Sequence, residues 1–331
     1  MHLSIDLLQT RVFLFLVAFV LTVITSYLSG KWGKSIWSPL WRFFSNISLF
    51  LNSKLNKLER KSGDLFLRGL FSTLICLSVG YALTVIYSQI LLIFEFKIYI
   101  ELLVLILFLS PFSLIGLQVS LNETLKSGKP LNNVYYCLAQ DMRLDLKPLD
   151  DFGLVRLSIL SSCLHFERSF LAPLFVYLLF GISGVIIYTS ITALFWISGR
   201  MGHGSRFSKI SHVLSWILNI VPNALSAFLF IVAAAFTPSA KMRFGLKALF
   251  ASHKGLTWAQ GGMAANVLAH VLDVTIGGPL KSIDGRDMPN IWIGREGVSA
   301  KLSHEHLRRV IYLQVVTYVL SVLGALSVFL L

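Results

Sequence analysis

Three aspartates and an arginine fall close together at Asp145, Asp150, Asp151 and Arg156. Carboxylates at such spacing could chelate a cation, and an arginine beside them could hold a phosphate. A charged helix face facing solvent would show the same residues. Gly277-Gly278-Pro279 is a second candidate, because two glycines let a backbone approach a ligand closely and the proline then fixes the exit direction. A tight turn after a helix is the plainer account of it. Asn219, followed by Pro222, sits in an uncharged stretch where a polar side chain and a freed backbone carbonyl need partners from protein or water. Both residues are therefore expected to face the interior.

Other patterns carry less. Gly33-Lys34-Ser35 has the end of a phosphate-binding loop, but Leu28 stands where the earlier glycine is required and no strand precedes it. His304 and His306 flank Glu305, and a spacing of two points them to different faces of a helix, so no metal site is assigned. Gly202-His203-Gly204 is too short for a dinucleotide fingerprint and reads as a turn. Asn46-Ile47-Ser48 and Asn122-Glu123-Thr124 match the glycosylation pattern but fall in segments expected to face the cytoplasm. Cys76, Cys137 and Cys163 are widely spaced and form no CxxC, which fits reduced, structural cysteines.

The elements that must position these residues are apolar. The 331 residues are 55% hydrophobic and 14% charged, a balance that excludes an ordinary soluble domain and implies an all-α, polytopic integral membrane protein. About six transmembrane helices are expected, over Val12–Leu28, Gly69–Phe94, Ile98–Leu117, Phe170–Ile197, Val213–Phe236 and Val310–Leu331. The first of these has no small-residue cleavage site and is read as a retained span. Gly181 and Gly184 could break Phe170–Ile197 into a re-entrant pair, which would turn Arg200 to Lys209 inward. Leu40 to Leu58 alternates apolar and polar faces, as an amphipathic helix on the membrane surface does.

The polar regions are 31–68, 119–167 and 241–309, and they hold most of the 29 lysines and arginines. The net charge of +13 thus marks the cytoplasmic face of a bilayer rather than a nucleic-acid surface. A single membrane domain follows, with two or three helices of 119–167 packed at its surface.

The order of landmarks resembles the CobD/CbiB family of cobalamin biosynthesis. Leu149-Asp150-Asp151-Phe152-Gly153 with Arg156, then Leu171-Ala172-Pro173-Leu174-Phe175 and Gly181, follow its pattern. Asp145, Tyr188, Gly199, Asn219, Pro222, Trp258, Met263, Gly277-Gly278-Pro279 and Trp292-Ile293-Gly294 recur in its order. The resemblance implies an adenosylcobinamide-phosphate synthase, which joins the carboxylate of adenosylcobyric acid to an aminopropanol phosphate as an amide, with ATP and Mg2+. It implies substrate contacts at Asp145, Asp150, Arg156, Asn219, Gly277, Gly278 and Pro279, and no catalytic residue is assigned. Corrinoid substrate and other cobalamin-assembly membrane proteins would be the partners. Departures from the family are Leu144 for an arginine, Leu160, Leu164, His165 and Arg168 for acids and amides, Thr189, Thr192 and Phe195 for lysine, asparagine and aspartate, and Ser215-Trp216 for two aspartates. AmpE, a membrane protein associated with beta-lactamase induction, shares the Leu-Ala-Pro-Leu-Phe run. The alternative is therefore a catalytically degenerate relative with an AmpE-like signalling or assembly role.

Overall fold

A computed structural model describes residues 2–28, 37–57, 60–128, 132–199, 206–251, 258–283, 285, 287–288 and 291–330. Gly33-Lys34-Ser35 and Gly202-His203-Gly204 lie outside the described residues. The helices are α1 (His2–Leu28), α2 (Pro39–Leu55), α3 (Ser62–Ile93), α4 (Lys97–Phe108), α5 (Ser113–Ser127), α6 (Asn132–Met142), α7 (Asp151–Phe166), α8 (Ala172–Ser198), α9 (Lys209–Ala235), α10 (Met242–Phe250), α11 (Gly262–Leu272) and α12 (His304–Leu330). Five short strands complete the described fold: β1 (Leu144–Asp145), β2 (Ile276–Gly277), β3 (Leu280–Ser282), β4 (Asp287–Met288) and β5 (Trp292–Ile293). The protein is all-α and polytopic, with six helical stretches long and apolar enough to cross a membrane: Asp6–Tyr27, Ser62–Ile93, Lys97–Ser127, Asp151–Ser198, Lys209–Ala235 and His304–Ser327. Their outer faces carry exposed Leu92, Tyr99, Leu103, Phe228 and Leu323, which are stable outward only where the solvent is itself apolar.

Ser38 begins α2, its hydroxyl accepting from Trp41 N, and Pro39 occupies the first helical position, where its missing N–H costs nothing. Trp41, Phe44, Ser48 and Leu51 recur every three or four residues and form the buried side, packed on α8 and α3.

Between α7 and α8 the chain widens into a π-turn at Glu167–Leu171. Pro173, in the first turn of α8, has no N–H and its ring would crowd the carbonyl four residues back, which the wider turn relieves. The helix then breaks at Gly181, where φ is 67° and ψ −162°, a conformation essentially confined to glycine. Here the chain reverses. Arg168 lies 13 residues before Gly181 and Trp196 lies 15 after it, and yet the guanidinium carbon is 4.8 Å from the Trp196 ring centre. A straight helix would hold them about 42 Å apart.

Arg11 donates to the Leu178 carbonyl at 2.8 Å, satisfying a helix-end acceptor beside the turn. Tyr177 donates to Glu101 at 2.7 Å, and Phe13 meets Phe329 at 6.1 Å. The starts of α1 and α4 and the end of α12 therefore share the Gly181 end of the bundle, and the basic segments gather at the other end. Each end of α9 is tied to a neighbouring helix. Phe207, just before it, presses its carbonyl on Gly69 in the second turn of α3, so closely that a Cβ there would sit 1.8 Å away. Thr237, just after it, shares a cleft with His304 at the start of α12. Along α9, Ser215, Asn219, Pro222, Asn223 and Ser226 are buried, while Val213, Trp216, Ile217, Ile220 and Phe228 are exposed. The polar stripe thus faces protein and the apolar stripe faces outward, the reverse of a soluble helix.

Phe15, Phe19, Phe166, Phe170 and Tyr318 interlock edge to face between α1, α7, the π-turn and α12. At the basic end, β1, β3 and β4 form one antiparallel sheet with β3 in the centre, and β2 pairs with β5.

Candidate functional site: a basic-end cleft and a buried polar cluster

The sheet register brings charges into a row. Asp145 on β1 pairs with Lys281 on β3, which in turn pairs with Asp287 on β4. A cleft of about 440 Å³ opens above them, lined also by Asp150, Arg156, Pro279 and Trp292. Asp150 caps α7, its Oδ1 accepting from Gly153 N at 2.7 Å, and this places a carboxylate at the positive end of the helix. Asp145 accepts from Lys147 N at 3.1 Å. Arg156, two turns into α7, donates from one terminal nitrogen to the Ala300 carbonyl at 2.7 Å. Its other terminal nitrogen stands 3.7 Å from Asp150, and the guanidinium lies 5.3 Å from the Trp292 ring centre. The arginine is therefore held by three elements before any ligand arrives.

Gly277 and Gly278 shape this wall. Their φ values are +84° and +91°. A Cβ on Gly277 would come 2.3 Å from the Ile291 carbonyl oxygen, and one on Gly278 would come 2.6 Å from the Trp292 ring. The glycines let β2 and β5 close and seat Trp292 against the backbone.

Asp145, Asp150, Arg156 and Pro279 thus share one cleft, with Gly277 and Gly278 beneath its Trp292 wall. Asn219 is elsewhere. It is fully buried, accepting from the Tyr188 hydroxyl at 2.9 Å and donating to the Ser215 carbonyl at 2.7 Å. One turn on, Asn223 donates to Glu167 at 2.5 Å and to the Gly261 carbonyl at 2.9 Å. Trp258 Nε1 donates to the other Glu167 oxygen at 3.0 Å.

Arg168 is 1% exposed. Its guanidinium lies 4.4 Å from the Trp258 ring and 4.8 Å from the Trp196 ring, with a long contact of 3.4 Å to the Trp258 carbonyl. Its Nε and one terminal nitrogen have no hydrogen-bond partner among the described residues. Aromatic faces stabilise a desolvated guanidinium, and they substitute here for the missing acceptors. Arg156 and Arg168 are separated along the helix by about 18 Å of rise, so cleft and cluster are separate sites.

The cluster was visible in the sequence only as two opposite charges side by side, Glu167-Arg168, at the edge of a long uncharged stretch, and as Asn219 and Asn223 one helical turn apart. The positions from Leu160 to Ser215 that depart from the resemblance line the same interior. Leu160, Leu164 and Phe195 are buried, and the Thr189 and Thr192 hydroxyls bond back to the Val185 and Tyr188 carbonyls, both at 2.8 Å. Trp216 turns outward, 49% exposed on the apolar face of α9.

The family described as CobD/Cbib protein matches residues 16–314. The chain is 27% identical over 217 residues to the probable cobalamin biosynthesis protein CobD of Pyrococcus abyssi, a match covering 65% of this chain and 71% of that protein. It is 26% identical over 220 residues to the probable cobalamin biosynthesis protein CobD of Thermococcus kodakarensis, covering 65% and 70%. No solved structure matches.

Proposed function

The chain belongs to the CobD/CbiB family, and on that premise we propose that it acts in cobalamin biosynthesis at the membrane, condensing the carboxylate of adenosylcobyric acid with an aminopropanol phosphate to form adenosylcobinamide phosphate. The observation that carries this reading is the alternation of Asp145, Lys281 and Asp287 across the sheet beside a preorganised Arg156. Lys281 and Arg156 are two cations suited to a phosphate and a carboxylate. The flanking aspartates suit the amine, which must approach as a base. Trp292, 49% exposed, offers a flat apolar face to a large macrocycle. The basic end would face the cytoplasm of the bacterial inner membrane, as the placement of lysine and arginine favours.

The resemblance also implies ATP and Mg2+. Among the described residues no three His, Cys, Asp or Glu side chains gather as a metal site, and the cleft carboxylates alternate with cations. This donor set does not fit a preformed metal cage.

A second reading, a relative that kept the scaffold without catalysis and serves an AmpE-like signalling or assembly role, draws support from the interior. There Arg168, where the resemblance leads one to expect an acid or amide, packs against Phe195, where it leads one to expect an aspartate. Complementation separates the two. A bacterium lacking its own synthase and supplied with cobyric acid should grow when this gene is expressed. No growth, with normal amounts of the protein in the membrane, rejects the synthase reading and leaves the second.

A further inference from the structure

A second basic-end cleft, of about 670 Å³, lies where α5 and α9 end and α12 begins. It is independent of the proposed synthase site. Lys126 of α5 and Arg308 and Arg309 of α12 line it, against the single carboxylate of Glu305. None of the three cations forms an ion pair among the described residues. The first turn of α12, a 27-residue helix, adds the positive end of its dipole. On the α5 wall, Asn122 lines the cleft with its Oδ1 buried and without a hydrogen-bond partner among the described residues.

The face of α12 below the cleft is apolar and outward. Tyr312, Val315, Val319, Leu323 and Leu326 are all exposed, and their spacing of three and four residues puts them on the face that carries Arg308. Arg308 to Val319 spans about 16 Å of helix rise, and half a hydrocarbon core is about 15 Å. An acyl chain along this stripe would therefore end with its headgroup between Arg308, Arg309 and Lys126. An amphipathic tyrosine such as Tyr312 at the junction belongs at a membrane interface.

We propose that this cleft binds the phosphate of an anionic phospholipid, held by Lys126, Arg308 and Arg309 with the acyl chain along α12. A soluble phosphate ester shares the headgroup chemistry but makes no use of the stripe. The test is native mass spectrometry of the full-length protein in mild detergent, titrated with phosphatidylglycerol or phosphatidylcholine. Phosphatidylglycerol should bind at least tenfold more tightly, and an excess of inorganic phosphate should not displace it. The R308A/R309A variant should weaken it about fivefold for each cation removed. Lys126→Gln, on a different helix, gives the same reading if the double variant does not reach the membrane. Equal binding of the two lipids overturns the proposal, as does retention by both variants. Full displacement by inorganic phosphate also overturns it and assigns the cleft to a soluble phosphate ester.

Discussion

Asn223 donates a 2.5 Å hydrogen bond to Glu167, tying the π-turn inside the Gly181 hairpin to the helix that follows it. Trp258 donates to the same carboxylate from the far side. A fully buried carboxyl group is thereby given two donors from two distant segments, which is what makes it tolerable in a medium of low polarity. The stack of Arg168 between Trp196 and Trp258 completes a polar seam through an otherwise apolar core.

Removing one donor should be costly. Asn223→Leu leaves a buried carboxylate oxygen unsatisfied and is expected to destabilise the protein by about 1–3 kcal/mol. The midpoint of thermal aggregation in detergent should fall clearly. A midpoint equal to that of the unaltered protein would show that the seam contributes nothing.

Neutralising the whole seam should cost less than breaking it. Arg168→Met alone leaves Glu167 without its cationic neighbour, whereas the double change Glu167→Gln with Arg168→Met removes both titratable groups. The double variant should therefore melt above the single one. If it melts below, the two charges act independently.

The hairpin depends on one residue. Gly181→Ala forces a side chain into φ 67°, ψ −162° and brings its Cβ to 3.2 Å of the Arg11 guanidinium. A loss of about 1–3 kcal/mol is expected. Gly297→Ala, where φ is also positive but nothing lies within 4 Å, should be milder. The comparison is read from thermal midpoints of the two variants, and equal effects would refute a special role for the turn.

In the complementing strain, Asp145→Ala and Arg156→Met should each abolish or steeply reduce growth while the amount of protein in the membrane holds. Arg156→Lys should rescue poorly, because a lysine cannot reach the Ala300 carbonyl and Asp150 together while covering the Trp292 ring. Full growth of Asp145→Ala would remove that residue from the site.

Cys137 on α6 is half-buried, and burial, reinforced by Asp141, holds its thiol above the usual range. The thiolate is the reactive form. Alkylation by a membrane-impermeant maleimide should therefore be slow at neutral pH and still climbing where an ordinary thiol has levelled off. It should proceed from the basic side alone. A plateau at ordinary thiol pH, or labelling from the opposite side, contradicts this placement.

The membrane class, the basic end and the amphipathic α2 were legible in the residues themselves, because hydropathy and charge are local properties that a bilayer reads directly. α2 stops at Leu55 where the periodicity carried it to Leu58, the usual fraying of an end. The cleft was legible in part, since Asp145, Asp150 and Arg156 are close in sequence, and only the partners Lys281, Asp287 and Trp292 had to be supplied by strands formed more than a hundred residues later. The residues left open whether Gly181 or Gly184 breaks the run into a re-entrant pair, and tertiary structure decided the reversal at Gly181 and everything it encloses. A helix that is apolar all round carries no periodic signal of direction, so nothing local shows that Arg168 will meet Trp196 or that Asn219 will close on Tyr188 instead of joining the cleft. Those contacts exist because one glycine can adopt a backbone conformation closed to other residues, and because buried charges must find donors wherever the fold happens to bring them.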